Sequence, residues 1–270
     1  MRSDLLDMLA GGLPQDAISL GTEVRTLGIH DDRTELGLTG GAVLDARLVV
    51  GADGVHSRIR DQAFARTGAR SALLAQSSWR FMAPNPGVDF WTLWTSAECM
   101  VLLAPVGDHS VYGWAALTRS RSDDRSAWQL DRATRHFPER VRQAIRHASS
   151  HRDGLHHSPL EEVRLDRWHE GRTVLIGDAA HATAPVWAQG AALALEDAIV
   201  LARCLSAHPD VPTALIDFQD QRMARVSHVQ ALTDAMSRAA KLPPLIRNAL
   251  LPFIRPKRDS QTYEPLKKQV

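Results

Sequence analysis

Apolar and polar positions change period several times along the chain, and each change marks an element. Residues 3–10 set Leu5, Leu6 and Leu9 on one side of a short helix, which Gly11-Gly12 ends. Short runs at 18–20, 24–30, 35–39 and 43–50 alternate with turn residues Asp31-Asp32 and Gly40-Gly41, predicting a small antiparallel meander that covers a sheet edge. That region closes on Leu48, Val49 and Val50, an unbroken apolar triplet of the kind found in strands buried on both faces. Between 77 and 117 the pattern turns to strands rich in β-branched and aromatic residues, with Trp79, Trp91, Trp94 and Trp114 among them, and VLLAP-VGDHS-VYGWAAL reads as a hairpin. Residues 131–148 carry Phe137, Val141, Ala144, Ile145 and Ala148 at helical spacing. A second buried triplet, Val174, Leu175 and Ile176, ends at Gly177-Asp178. AALALEDAIVLARCL then favours helix, and Leu215, Phe218, Arg222, Val226, Val229, Leu232 and Met236 mark a long amphipathic helix closed by Pro243-Pro244.

Two buried strands with helices and an antiparallel sheet between them predict a mixed α/β and α+β fold. Asp178 falls at the carboxyl end of its strand, where open α/β sheets bind ligands. The helix that begins at Gln189-Gly190 has small residues in its first turn, so another molecule can approach it closely. Its first N–H groups and its dipole favour negative charge.

RTVLIGDAAHATAPVWAQGAALALEDA and the earlier ARLVVGADGVHSRIR each run from a buried strand into a turn that carries Asp, and they lie roughly 120 residues apart. In that order the two blocks resemble the later flavin-binding motif and the Asp-Gly motif of the FAD-dependent aromatic hydroxylases, the p-hydroxybenzoate hydroxylase-like flavoprotein monooxygenases. MRSDLLDML resembles that family's Arg-containing helix, and FQDQRMARVSHVQ its late helix. The resemblance implies an incomplete Rossmann-like FAD-binding domain interleaved with an antiparallel substrate domain. Residues 1–70 and 166–255 would form the first, 71–165 the second, and 256–270 a flexible tail. The family's opening strand–turn–helix with G-x-G-x-x-G has no counterpart here. The chain is therefore expected to be an N-terminally truncated form, starting roughly a hundred residues late by family resemblance.

The resemblance further implies an FAD-dependent, NAD(P)H-consuming monooxygenase that hydroxylates an aromatic or polyketide-like small molecule with O2 through a flavin C4a-hydroperoxide. The cofactor delivers the oxygen atom, so no protein catalytic triad is expected. By resemblance Asp178 hydrogen-bonds a ribityl hydroxyl, Asp53 contributes near the pyrophosphate, and Arg2 reaches FAD phosphate or ribose. Pro185, Gln189 and Gly190 form the turn that brings backbone donors to the flavin N1–C2=O edge. Ala188, after Trp187, departs from the commoner Gly-Gln-Gly of the family. Either aspartate can instead be a turn former or helix cap. Arg80 resembles an arginine that some relatives point at flavin and substrate, with an ordinary sheet-surface arginine as the competing reading. The four tryptophans are expected in core packing rather than around a pocket, and His181 is expected to cap or pack. The alternatives are another FAD-dependent oxidoreductase, a reductase or a halogenase, and a non-catalytic truncated fragment. WTLW lacks the Ile-Pro that completes the halogenase W-x-W-x-I-P signature.

Composition adds exclusions. A formal charge of +1, with 44% hydrophobic and 23% charged residues in 270, suits a soluble enzyme and gives no reason to expect nucleic acid or an anionic membrane. Cys99 and Cys204 are too few for a disulfide framework, and no cysteine–histidine spacing, nor His151, His156 or His157, suggests a metal. No apolar run approaches a membrane span and no signal-peptide core opens the chain, so cytoplasm is the expected location.

Overall fold

The computed structural model describes residues 2–14, 16–64, 70–96, 98–117, 128–184 and 189–240. After helix α1 (Arg2–Ala10), strands β1 (Val24–Ile29), β2 (Thr34–Leu38) and β3 (Val43–Ala46) pair antiparallel as the expected meander. Two details differ from the sequence reading. Residues 18–20 form no strand, and 43–50 breaks at Arg47, so that β4 (Val49–Gly51) leaves the meander and pairs elsewhere.

Its partner is β11 (Thr173–Leu175), parallel and in register Val49–Thr173, Val50–Val174 and Gly51–Leu175. β10 (His169–Glu170) flanks β11 on the other side, antiparallel. Every residue of β11 is buried, as an unbroken apolar run requires when both faces are covered. The covering elements include helix α2 (Arg58–Ala63), which approaches so closely that a Cβ on Gly51 would lie 2.9 Å from Ile59 Cγ2 and 2.6 Å from Leu175 Cδ2. Later helices cover the rest: α5 (Asp178–His181), α6 (Gly190–Ala207) and α7 (Val211–Ala240). Asp210 caps α7 by accepting the Thr213 N–H at 2.9 Å. Pro243-Pro244, expected to close it, lie outside the described residues.

The intervening chain forms an antiparallel five-stranded sheet in the order β6-β7-β8-β5-β9, from β5 (Arg70–Pro84), β6 (Thr92–Thr95), β7 (Cys99–Val106), β8 (Ser110–Leu117) and β9 (His156–Arg164). The hairpin read from the sequence is β7-β8. One face of this sheet, with Trp79, Phe81, Val101 and Leu103, packs on α3 (Trp128–Thr134) and α4 (Glu139–Ser150). The helical spacing of 131–148 is thus divided between two helices. Pro138, with φ −53° and ψ 151°, has no N–H to continue α3 and starts α4 instead. Of the four tryptophans, Trp79 is core and Trp94 packs against that core, whereas Trp91 is 59% exposed and Trp114 lies on the opposite face.

Among the described residues the apolar side chains form two large cores and a small third cluster. One core joins residues from 24–64 with residues from 163–229, the other is drawn from 79–155, and Trp114, Ala116 and Leu160 make the small cluster on the opposite face of the second sheet.

Candidate cofactor site

The parallel pairing of β4 and β11 brings their carboxyl ends side by side, with the Ile176 N–H donating to Gly51 O at 3.0 Å as the last rung. Asp53 lies in the loop after β4, and Asp178 opens α5 just after β11. Gly177 makes the second turn at φ 58°, ψ −142°, a conformation that L side chains avoid, and a Cβ there would also lie 3.1 Å from Ala194 Cβ. The turn therefore needs glycine for its backbone angles and for its contact with α6.

Asp178 is exposed, and its carboxylate has no hydrogen-bond or ion-pair partner among the described residues. Its Oδ1 lies 3.8 Å from the point a Cβ on Gly190 would occupy, so it faces the start of α6. Gln189 is the N-cap residue there but makes no side-chain cap, and no acidic residue occupies the first turn. Among the described residues no side chain caps the first N–H groups of α6 or meets the Asp178 carboxylate, so a donor set and an acceptor sit at one opening. That combination suits a ligand that offers both carbonyl oxygens and hydroxyls, as FAD does.

Asp53 is used differently. Its Oδ1 accepts from Ser57 Oγ at 2.5 Å, and its Oδ2 accepts the N–H groups of Arg58 at 2.8 Å and Ile59 at 3.2 Å. Both oxygens are committed to the N-terminus of α2, the helix-cap alternative read from the sequence. Arg60, 5% exposed, then ties the loop after Asp53 to α5 by donating to Val55 O at 2.8 Å and to Ala179 O at 3.2 Å.

A buried charge cluster supports the Asp178 turn from beneath. Asp197, fully buried on α6, accepts the Gly177 N–H at 2.9 Å and His181 Nε2–H at 2.6 Å with one oxygen, and Arg222 Nε–H of α7 at 2.8 Å with the other. Arg222 is also fully buried and pairs with Glu196 at 2.9 Å, which Arg225 meets at 2.5 Å. Burial pushes the Asp197 carboxyl up, but His181, the Gly177 N–H and Arg222 outweigh it and hold the group below the usual aspartate range. His181 packs on Trp168 with ring centroids 5.1 Å apart, a structural placement.

The structure thus brings Asp53, Asp178, Gln189 and Gly190 to one end of the parallel sheet. Pro185, with Trp187 and Ala188, lies outside the described residues, as does the side chain of Arg2, whose backbone opens α1. Arg80 stands apart on the second sheet, where its Nη1 donates to Ser158 Oγ at 3.0 Å. Sequence reasoning missed Arg60, Asp197 and Arg222 as supports of the site. A signal existed: Asp197 and Arg222 each interrupt an otherwise apolar buried stripe, on consecutive helices. Among the described residues no group of three or more His, Cys, Asp or Glu could hold a metal, and no helix is long and apolar enough to cross a membrane.

Comparison with known proteins agrees with this geometry. A family model described as an FAD binding domain matches residues 10–233. The chain is 32% identical over 252 residues to a 3-amino-4-hydroxybenzoate 2-monooxygenase of Streptomyces cremeus, covering 90% of this chain and 62% of that protein. It is also 32% identical over 237 residues to a 2-heptyl-3-hydroxy-4(1H)-quinolone synthase of Pseudomonas aeruginosa, covering 85% and 61%. The chain therefore spans about three fifths of the length of these curated relatives. A salicylate hydroxylase solved with substrate shares the fold with TM-score 0.80 at 21% identity, over 99% of this chain and 73% of that one. HpxO of Klebsiella pneumoniae, solved with FAD and uric acid, does so with TM-score 0.80 at 21% identity over 93% and 66%. The family match across most of the chain, together with two motif loops joined at one sheet end, places this protein in the FAD-binding family of aromatic hydroxylase-like flavoprotein monooxygenases.

Proposed function

We propose that the chain works as an FAD-dependent, NAD(P)H-consuming monooxygenase that hydroxylates an aromatic or polyketide-like small molecule with O2, in the cytoplasm. The observation that carries this reading is the free Asp178 carboxylate facing Gly190 at the uncapped start of α6. In it, Asp178 accepts a ribityl hydroxyl of FAD. The N–H groups at Gly190, with Gln189 and Pro185 shaping the turn, donate to the flavin ring, and Arg2 reaches the phosphate or ribose. Asp53 acts through the loop it shapes, since its carboxylate is spent on α2. FAD when bound supplies the redox and oxygen-transfer chemistry, which is why the protein's part is to bind, orient and exclude water. Arg80 is the substrate-side group.

The test is a titration of the purified chain with FAD, followed by flavin fluorescence, and then an assay of NAD(P)H oxidation with a panel of aromatic compounds. Saturable one-to-one FAD binding, oxidation stimulated by one member of the panel and a product heavier by one oxygen atom support the reading. Absence of saturable binding overturns it. FAD binding with no hydroxylated product leaves a different FAD-dependent oxidoreductase.

A further inference from the structure

The two edges of the five-stranded sheet are built differently. β9, at one edge, carries Pro159, Glu161, Glu162 and Arg164, and its Val163 N–H is already taken by Ala182 O at 2.9 Å. Proline, charge and a covering contact are the devices that keep an edge strand from pairing with another chain. β6, at the other edge, reads Thr92-Leu93-Trp94-Thr95 and has none of them. Its side chains are β-branched, aliphatic and aromatic, which suit a paired strand. The chain just before β6 exposes two rings, with Phe90 71% and Trp91 59% accessible, and Leu93 within the strand is 42% accessible. The loop that presents the rings is tied down. Asn85 Oδ1 accepts the N–H groups of Gly87 at 3.1 Å and Val88 at 2.8 Å, Val88 is buried in the core of this sheet, and Thr92 Oγ1 donates to Phe90 O at 2.9 Å.

Hydrogen bonding within the β6-β7 hairpin decides which backbone groups face outward. The Ser96 N–H donates to Cys99 O at 2.8 Å, and the same register sets Thr95 against Met100, Trp94 against Val101, Leu93 against Leu102 and Thr92 against Leu103. Bonded and non-bonded pairs alternate in an antiparallel ladder, so Thr92 and Trp94 bond to β7, whereas Leu93 and Thr95 turn their N–H and C=O groups to the open edge. No strand pairs on that side among the described residues. Outward donors and acceptors beside exposed apolar side chains call for another strand.

We propose that β6 pairs antiparallel with β6 of a second copy of this chain, about a two-fold axis at Leu93, so that two five-stranded sheets become one. With Leu93 opposite itself, the outward groups of Leu93 and Thr95 bond across the axis, Thr95 meeting Trp91 of the other copy. Thr92 then faces Trp94, an aromatic–β-branched pair, while Trp91, Leu93 and Thr95 of both copies share one sheet face. The nearest charges in the chain, Asp89 and Glu98, lie beyond the paired span. An uncharged edge matches its own copy and offers nothing to a charged partner. Each exposed ring has about 100 Å² or more left to bury. Four rings, two leucines and two strand backbones together reach on the order of 1,000 Å², the lower end for a specific interface, and so give a reversible dimer. Each copy has one β6 edge and the β9 edge is blunted, so assembly stops at two.

Sedimentation velocity of the purified chain at about 1 to 200 μM tests the pairing. The expected result is a monomer–dimer equilibrium with no larger species. Leu93→Lys and Leu93→Glu each set like charges against one another across the axis and should weaken association at least about tenfold. An equimolar mixture of the two should regain the dimer, because opposite charges then meet. Thr95→Pro deletes an outward N–H and spares the bonds to β7, so it too should weaken association, and urea unfolding at the lowest concentration should leave all three variants close to the parent. A parent that stays monomeric, including one that instead co-sediments with phosphatidylcholine vesicles, overturns the pairing. So does a dimer that survives Leu93→Lys and Thr95→Pro, or growth past two copies. Single variants that are monomeric and remain so when mixed overturn the two-fold at Leu93.

Discussion

The Asp197 carboxylate accepts the Gly177 N–H at 2.9 Å, so a buried acid on α6 fixes the backbone immediately before the exposed Asp178. The same carboxylate is held by Arg222 at 2.8 Å and His181 at 2.6 Å. Turn, α6 and α7 are therefore locked by one ion. Asp178, which takes no part in that lock, is left with its carboxylate available.

Breaking the lock should cost more than an ordinary core substitution. Asp197→Asn keeps the volume but takes from the fully buried Arg222 the carboxylate at 2.8 Å and leaves it Glu196 at 2.9 Å, and removing one member of a buried pair typically costs about 3–5 kcal/mol. Urea unfolding should show the midpoint lowered accordingly. A loss under about 1 kcal/mol would mean that Glu196 alone neutralises Arg222.

The same group sets an acid limit. Its folded pKa lies below the usual aspartate value of 3.8 despite the upward push of burial, because His181, the Gly177 N–H and Arg222 favour the charged form. The stabilisation is complete above the usual aspartate value and is lost as pH falls through the lower folded pKa. Thermal melts of the parent below pH 4 should therefore fall more steeply than those of Asp197→Asn, and the two curves should converge at the acid end. Parallel curves would show that other carboxylates govern acid unfolding.

Gly177→Ala tests the turn itself. Alanine would have to adopt φ 58°, ψ −142° and place its Cβ 3.1 Å from Ala194 Cβ, so about 1–3 kcal/mol of stability should be lost. If the turn relaxes instead, stability is kept and FAD affinity falls, because Asp178 moves with it. Urea titration and flavin fluorescence on the same variant separate the two costs.

Asp178→Ala should behave in the opposite way. The side chain is exposed and has no partner among the described residues, so stability should stay within about 0.5 kcal/mol of the parent. FAD retention should be abolished, or affinity weakened at least about tenfold, since one charge-assisted hydrogen bond is removed. Unchanged flavin affinity would take Asp178 out of the site.

Why some of this was legible in the sequence and some was not follows from the range of the forces. The strand ends at Asp53 and Asp178 could be read because an apolar triplet followed by Gly-Asp or Ala-Asp-Gly is a local signal. That they meet depends on β4 pairing with β11, a long-range register that no local pattern carries. The breaks at Arg47 and Pro138 were missed because hydrophobic spacing runs across them. Of the tryptophans expected in the core, Trp91 is exposed, and alternation along β8 alone cannot say that Trp114, though buried, packs in a separate cluster on the sheet face opposite that of Trp79. Asp197 and Arg222 looked like ordinary helix residues until packing placed them together. Their charges inside apolar stripes were the available clue.

The two cysteines report on the two cores separately. Cys99 is fully buried on β7, where burial, with a smaller push from Glu98, raises its thiol to about 12. Cys204, 2% exposed on α6, is raised by burial and then by Asp217. Since the thiolate is the reacting form, neither should react with an aromatic disulfide reagent at pH 8 in the folded protein, and both should react in urea. Below the unfolding midpoint each labelling rate measures the opening of its own core, because Cys99 belongs to the core of the second sheet and Cys204 to that around the parallel strands. Asp197→Asn should therefore speed labelling of Cys204 well before that of Cys99, while Trp79→Ala, which empties the other core, should do the reverse. Mass spectrometry of the labelled peptides decides it. If both cysteines label at one common rate in every variant, the two cores open as a single cooperative unit.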